Sequence, residues 1–445
     1  MTLHRARLDA LADYLAAAVV ISLPWSTSAT SILVALWVIA LAPTLDGVSF
    51  RRVAGMPAAA LPVALVILAL GSMLWADVPW PERLYGMDPF LKLLAIPLLL
   101  VHFSRTARPE LALASFFASA CALLALSWLL VLVPQLPWQV KSPGVPVKDY
   151  IIQSGIFTLC FFALLDRAIA VWGKSRAESL VCAGLGLIFI SNIVFVALGR
   201  TSLVVIAVLF ALLGIRHFKR RALAAFIAAG VGLGSVAWAT SPYLRERVTH
   251  VVEELDTYSP NENETSAGIR VQFWKISLEI VRNAPLIGHG TGSTQAMFAQ
   301  YAGIDPTAPT GATNPHNQIL ATAIPLGLSG VVLLLAMWIM QFRMFLPLGH
   351  RASIAAREPV TRIEPTGPAP ARPDDKLTAR LAPGFAGVQP GLRWLSPGQV
   401  AWIGISVVAQ NFVGSLFNSH LFDFTQGWLY VFGVGVAGGI MLRKR

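Results

Sequence analysis

Apolar runs long enough to cross a bilayer recur along almost the whole chain, and they constrain its fold more than any other feature. A spanning helix needs about 20 residues at a rise of about 1.5 Å each. Runs of that kind fall at about 9–25, 27–44, 56–75, 88–104, 110–134, 150–172, 179–198, 201–216, 222–240, 317–342, 398–416 and 421–441. Backbone N–H and C=O groups find no water in hydrocarbon, so each run is expected to bond internally as a helix. With 56% of its 445 residues hydrophobic and 13% charged, the chain is too apolar for a soluble domain. The fold expected is an all-α polytopic membrane protein with about twelve transmembrane helices. The pair at 9–44 is interrupted by Pro and the pair at 179–216 by Gly, so both can be divided differently. The first run is followed at once by others, so it reads as a first span and not as a cleaved signal peptide.

Charge sets the expected orientation. An even number of spans puts both termini on one side. If that side is the cytoplasm, its segments hold most of the 34 Lys and Arg residues, among them Arg5, Arg51, Arg52, Lys219, Arg220, Arg221 and Arg443. This asymmetry is the positive-inside pattern. It accounts for the net charge of +11 as a topology signal, with no nucleic-acid partner required. The expected location is a membrane, multi-pass, with membrane lipids as neighbours and Gly268 to Asn317 on the exterior side, which is the periplasm if there is an outer membrane. The organisation expected is nine spans over 1–240, an exterior helical loop over 241–317, and three spans over 318–445. Within the last part, about 346–397 is rich in Pro, Ala, Arg and Gly and reads as a disordered cytoplasmic connection. Cys121, Cys160 and Cys182 lie far apart in apolar runs, so neither a disulfide framework nor a metal site is indicated.

One polar segment interrupts this pattern, from Gly268 to Asn317. Ile269, Phe273, Ile276 and Ile280 make a single helical stripe, with Gln272, Lys275, Glu279 and Arg282 opposite. Such a helix lies on a bilayer surface or packs on the tops of spans. Ser266 is a plausible N-cap, and Asn283-Ala284-Pro285 ends the helix. Arg270 falls in the first turn, where unpaired N–H groups favour an anion. A turn with Gly288, Gly290 and Gly292 follows, then a short helix over about 295–302. A Pro- and Thr-rich loop then leads to Asn314-Pro315-His316-Asn317 at the next span.

Several side chains here suit particular chemistry. Arg200, in Leu198-Gly199-Arg200-Thr201-Ser202, falls at a membrane boundary. It reads either as an arginine reaching lipid headgroups or as a phosphate clamp, since its planar fork binds phosphate oxygens bidentately. His316 follows a proline that fixes the local backbone, and an imidazole accepts a proton near neutral pH; the bland alternative is a helix-capping residue. His4, His102, His217 and His350 look incidental. His250 and His289 fall in a charged turn and a glycine turn, and His420 lies in the last exterior loop with Asn418, Asp423 and Gln426 near it. No HExxH or DxD is present; Asp77, Glu82 and Asp88 share the exterior loop 76–90, where a weak metal site is the alternative reading, and the acidic run Glu253-Glu254-Leu255-Asp256 reads as a solvated surface. No metal and no cofactor is expected.

The run GIRVQFWKISLEIVRNAPLIGHGTGS followed by PHNQIL, with GRTSLVV upstream and SHLFD before the last span, resembles the O-antigen ligase and polymerase superfamily. In that pattern an Arg opens a helix with a Trp four residues on, which here are Arg270 and Trp274, and an HN pair precedes a span, here His316 and Asn317. The resemblance implies a metal-independent, membrane-embedded glycosyltransferase of the C type. Such a ligase takes an O-antigen glycan from undecaprenyl pyrophosphate and joins it to lipid A–core oligosaccharide. Carried onto this chain, Arg200 and Arg270 would hold the pyrophosphate and His316 would activate the acceptor hydroxyl. Asp423, His420, Asn317, Trp274, Lys92 and Arg83 would be supporting residues.

The chemistry of the residues agrees with that expectation. A lipid pyrophosphate is already a good leaving group, so cations and one base suffice. One base without a carboxylate nucleophile implies inversion. An O-antigen polymerase or a protein O-oligosaccharyltransferase would use the same donor, and the motifs do not separate them. A transporter would instead carry charges deep in its spans, for which Asp13, Asp166 and Lys92 are boundary cases.

Overall fold

The computed structural model describes residues 2–138, 142–256, 266–302, 314–355 and 395–443. Helix is the repeating element throughout. The first group is α1 (Thr2–Ser22), α2 (Thr27–Leu41), α3 (Gly47–Ala54), α4 (Pro57–Ser72), α5 (Trp80–Leu91), α6 (Ala95–Arg105) and α7 (Leu111–Leu132). Then come α8 (Tyr150–Val171), α9 (Arg176–Phe195), α10 (Arg200–His217), α11 (Arg220–Thr240), α12 (Pro242–Asp256), α13 (Ser266–Asn283) and α14 (Thr294–Ala302). The last three are α15 (Gln318–Ala355), α16 (Pro397–Ser415) and α17 (Phe424–Arg443). Among the described residues no strand forms, and Ser142 and Val145 make one isolated bridge.

Each apolar run read from the sequence overlaps one of these helices, except that the run at 88–104 takes in the end of α5 and all but the last residue of α6. Among the described residues, nine segments are long and apolar enough to cross a membrane. Helices α1 and α16 do not reach that measure, and α4 reaches it only together with α3, across a bend of 82°. The protein is thus a helical polytopic membrane protein. Three helices were not expected: α3, α5 and α12. His250 accordingly sits on a helix and not in a turn, exposed beside Glu246 and Glu253. The described part of α15 runs to Ala355, into the stretch expected as a cytoplasmic connection. Residues 356–394 of that connection lie outside the described part.

Burial sorts the helices into centre and rim. Helix α17 is 89% buried over its spanning window, while α11 has no buried residue and packs on α10 along one side, with Phe226 stacked on Phe210. Helices α17 and α6 run side by side in the same direction, with Gly435 against Leu99 and Gly439 against Phe103. A β-carbon on Gly435 would come within 2.4 Å of the Leu99 side chain, so the glycine permits this approach. Trp37, Trp402, Tyr430 and Phe432 fill the centre with almost no exposure.

Helix α15 is broken inside its apolar run, at Gly327, whose φ is 61°. A broken helix in hydrocarbon requires other protein groups to take its freed backbone bonds. The segment 285–290, just after α13, supplies them. His289 N donates to Ile324 O and Gly290 N to Pro325 O, both at 2.9 Å. In return Leu328 N donates to Pro285 O at 2.7 Å and Ser329 N to Leu286 O at 3.1 Å. The glycine turn is therefore a wedge driven among the spans. Thr291 is fully buried, bonding Ser72 Oγ and Ala69 O of α4. Gly288, Gly290 and Gly292 all take positive φ. A β-carbon on Gly292 would meet Glu82 O at 2.6 Å, so only glycine fits where the wedge crosses α5.

Candidate functional site

The site forms where two loops meet at the end of the bundle that carries α13. One loop is 314–317, which enters α15. The other is 416–423, which joins α16 to α17. Their contacts are dense and directional. Asn317 caps α15, with Oδ1 accepting from Ile319 N and Leu320 N, and its Nδ2 donates across to Leu416 O at 3.1 Å. Gln318 Oε1 accepts from Leu421 N at 3.1 Å and Phe422 N at 3.2 Å. Ser419 Oγ donates to Asn314 Oδ1 at 2.8 Å.

His316 lies in the middle of this latch. It is the one non-glycine residue with positive φ among the described residues, at 49°. That left-handed region costs a side-chain-bearing residue roughly 1 kcal/mol or more, so the surrounding bonds must hold it there. Asn314 Oδ1 accepts from its backbone N–H at 2.9 Å, and its ring Nδ1 lies 3.1 Å from Asn418 Oδ1. Burial holds the imidazole below its ordinary pKa, and the Arg270 charge adds to that, against the opposing bond to Asn418. Arg270 and His316 therefore stand close enough to interact, although 46 positions separate them in sequence. At neutral pH the ring is uncharged and able to take a proton.

Arg270 is placed by its helix. The stripe read from the sequence packs inward: Phe273, Ile276 and Ile280 of α13 meet Phe298 of α14 and Ile324 of α15. Of the two expectations for this helix, packing on spans is the one realised. Trp274, one turn on from Arg270, is half-buried, and its buried indole N–H has no partner among the described residues. Arg200 is the first residue of α10 and half-buried. Gly199 before it lets the chain press on α8, where a β-carbon would lie 2.6 Å from Ser154 Oγ. Ser154 and Ser202 then bond at 2.8 Å, fixing the first turn of α10 to α8.

The other candidates fall into different places. Lys92 Nζ donates to Phe422 O at 3.3 Å and Asp423 O at 2.9 Å, so it pins the 416–423 loop from beneath. Asp423 caps α17, its Oδ1 accepting from Gln426 N at 2.7 Å. Lys148 donates to Leu23 O at 2.7 Å and Thr425 Oγ1 at 2.6 Å. Burial lowers its pKa, and Asp423 and Asp149 oppose that. His420 is 4% exposed, neither ring nitrogen has a partner among the described residues, and burial pushes its pKa down to about 4. Arg83 turns to its own loop, donating to Val78 O and Met73 O at 2.7 Å and lying over Trp80. Asp77, Glu82 and Asp88 are exposed. Among the described residues no group of three or more His, Cys, Asp or Glu side chains comes together.

Residues 185–335 match the sequence model of the O-antigen ligase family. The chain carries an O-antigen ligase family domain. It begins within α9, contains Arg200, Arg270 and His316, and ends just beyond the break in α15. Lys92, Asn418 and Asp423 lie outside the matched stretch. No curated protein matches the chain.

Sequence reasoning missed the break in α15 and the partner of His316. Ile324-Pro325-Leu326-Gly327-Leu328-Ser329-Gly330 carries the signal for the break, a proline and two glycines inside one apolar run. Asn418 carries no comparable signal, because 102 positions separate it from the ring it bonds. Arg247 was also passed over. It lies over Tyr150 at 4.5 Å and Tyr243 at 5.3 Å, and Tyr243 Oη accepts from Leu198 N, two residues before Arg200. His102 and His217, read as incidental, bond the buried carboxylates of Asp13 and Asp166.

Proposed function

We propose that the protein is an O-antigen ligase that transfers an O-antigen glycan from undecaprenyl pyrophosphate to lipid A–core oligosaccharide. The observation that carries this reading is His316, strained, neutral and beside Arg270 in a family domain of this kind. Arg200 and Arg270 hold the pyrophosphate and stabilise the charge that develops on its departing oxygen. His316 accepts the proton of the acceptor hydroxyl. The acceptor oxygen bonds to the anomeric carbon as the bond to the phosphate oxygen breaks, and the pyrophosphate leaves with the electron pair. A single displacement of this kind inverts the anomeric centre and requires no metal, as in a C-type membrane glycosyltransferase. The half-buried Trp274 N–H offers the bound donor one further hydrogen bond. The site opens to the periplasm of the inner membrane, with both termini in the cytoplasm, as the basic-residue asymmetry supports.

Deletion of the gene followed by gel analysis of lipopolysaccharide tests this reading. Loss of O-antigen from lipid A–core, with full-length lipid-linked polymer accumulating, is expected. Loss of polymer beyond one repeat would instead make the protein a polymerase. Transfer by purified protein should survive EDTA.

A further inference from the structure

The ring of His316 has an orientation that can be read from donors alone. Asn418 Oδ1 accepts the backbone N–H of Ser419 at 2.9 Å. A backbone N–H only donates, so the Asn418 atom facing it is the carboxamide oxygen. The same oxygen faces His316 Nδ1 at 3.1 Å. An oxygen cannot donate to it, so Nδ1 carries the hydrogen. A neutral imidazole has one N–H, and the lone pair is then on Nε2.

The arrangement is reciprocal. Asn314 Oδ1 takes the backbone N–H of His316 and the hydroxyl of Ser419, while Asn418 Oδ1 takes the ring N–H of His316 and the backbone N–H of Ser419. Two carboxamides thus lock the two loops and hold the backbone of His316 in its left-handed conformation. Lys92, reaching the carbonyls of Phe422 and Asp423, keeps the second loop in place from α5 and α6. Among the described residues, Arg270 of α13 is the charged group that acts on the ring. The 416–423 loop faces it with the neutral Asn418.

We propose that Asn418 is the positioning residue of His316, accepting the Nδ1 hydrogen so that Nε2 is presented as the base to the acceptor hydroxyl. The inference rests on the role given to His316 above. An amide suits this position better than a carboxylate. It fixes the tautomer and the ring plane without adding a negative charge beside a departing pyrophosphate or drawing Arg270 away from it. A carboxylate in its place would favour the imidazolium and raise the pKa of the base.

The test compares full-length protein in detergent with two variants. The readouts are transfer from a pyrophosphate-linked glycan to lipid A–core across pH, and affinity for undecaprenyl pyrophosphate. Asn418→Leu keeps the size of the side chain and removes the acceptor. It should lower turnover about 10- to 100-fold with donor affinity unchanged. Asn418→Asp keeps the acceptor and adds the charge, so turnover should persist while the acid limb of the profile moves about one pH unit upward. Wild-type turnover in Asn418→Leu, or an unmoved acid limb in Asn418→Asp, would overturn the proposal. If Asn418→Leu does not fold, the position of the Asn418→Asp limb decides alone. His316→Ala, measured alongside, separates the two claims. An inactive His316→Ala with a normal Asn418→Leu sinks the positioning role only, whereas an active His316→Ala sinks the base and the positioning role together.

Discussion

At the end of the bundle away from the site, charges close on one another. Asp13 bonds His102 Nε2 at 3.0 Å and the hydroxyl of Thr106, and Trp37 Nε1 donates to the other ring nitrogen. Asp166 takes Arg216 Nε at 2.8 Å and His217 Nε2 at 2.7 Å, while Arg167 joins Glu178 and Arg105 joins Asp46. At the site end, Lys92, Lys148, Arg83 and Arg247 rest instead on backbone carbonyls, hydroxyls and aromatic rings. The nearby carboxylates Asp149 and Asp423 are engaged in capping α8 and α17. Identical residue types thus serve two purposes. Mutual neutralisation lets a charge sit at a membrane boundary at low cost. Cations whose direct bonds go to neutral atoms leave a positive field, tempered at Lys92 and Lys148 by Asp423. Of the three boundary charges read from the sequence, Asp13 and Asp166 are paired with His102 and with Arg216 and His217, and Lys92 rests on the carbonyls of Phe422 and Asp423.

The comparison breaks most readily at Arg270. If the site end acts on substrate, Arg270→Ala should reduce transfer on the order of 10²- to 10³-fold and weaken undecaprenyl pyrophosphate binding, with little change in thermal stability. Arg270→Lys should fail too, since a point charge does not replace the fork. A folded Arg270→Ala protein with normal transfer would leave the positive field without a role.

The opposite end should respond in the opposite sense. Asp166→Asn leaves Arg216 beside a neutral amide, which costs roughly 3 kcal/mol for a buried pair. Thermal unfolding in detergent should show that loss, while transfer per folded molecule stays at the wild-type level. A selective loss of transfer would show that the two ends are not functionally separate.

A smaller effect sharpens the account of His420. Its folded pKa of about 4 lies below the unfolded value of about 6.5. The unfolded chain therefore binds the extra proton between these values, and the stability present above about pH 6.5 is lost as pH falls toward 4. Between pH 7 and 5.5 the loss is about 1 kcal/mol. His420→Leu should abolish that part of the pH dependence of the melting temperature. An unchanged pH dependence in the variant would remove His420 as its source.

What could be read in advance divides along physical lines. The spans were legible because lipid forces about 20 apolar residues into one helix. Helix α13 was legible because its stripe has the helical period. The wedge of Gly288 to Gly292 was read only as a turn, since sequence shows that glycines permit positive φ but not that Thr291 is buried against Ser72. Asn317 entered as part of a motif, and the structure gives it a cap and a cross-loop bond. Asn418 and Lys92 act through contacts 102 to 331 positions away, and no local pattern encodes such distances.

The most direct measurement is transfer by His316→Gln beside wild type, across pH and with undecaprenyl pyrophosphate affinity determined for both. The amide keeps much of the shape of the ring but cannot take the proton. Donor affinity should be retained while turnover falls about 10²- to 10⁴-fold. Wild-type turnover should hold through neutral pH and fall only below the ordinary imidazole range, because burial and Arg270 lower the pKa of this ring. Near-wild-type turnover by folded His316→Gln would contradict the account.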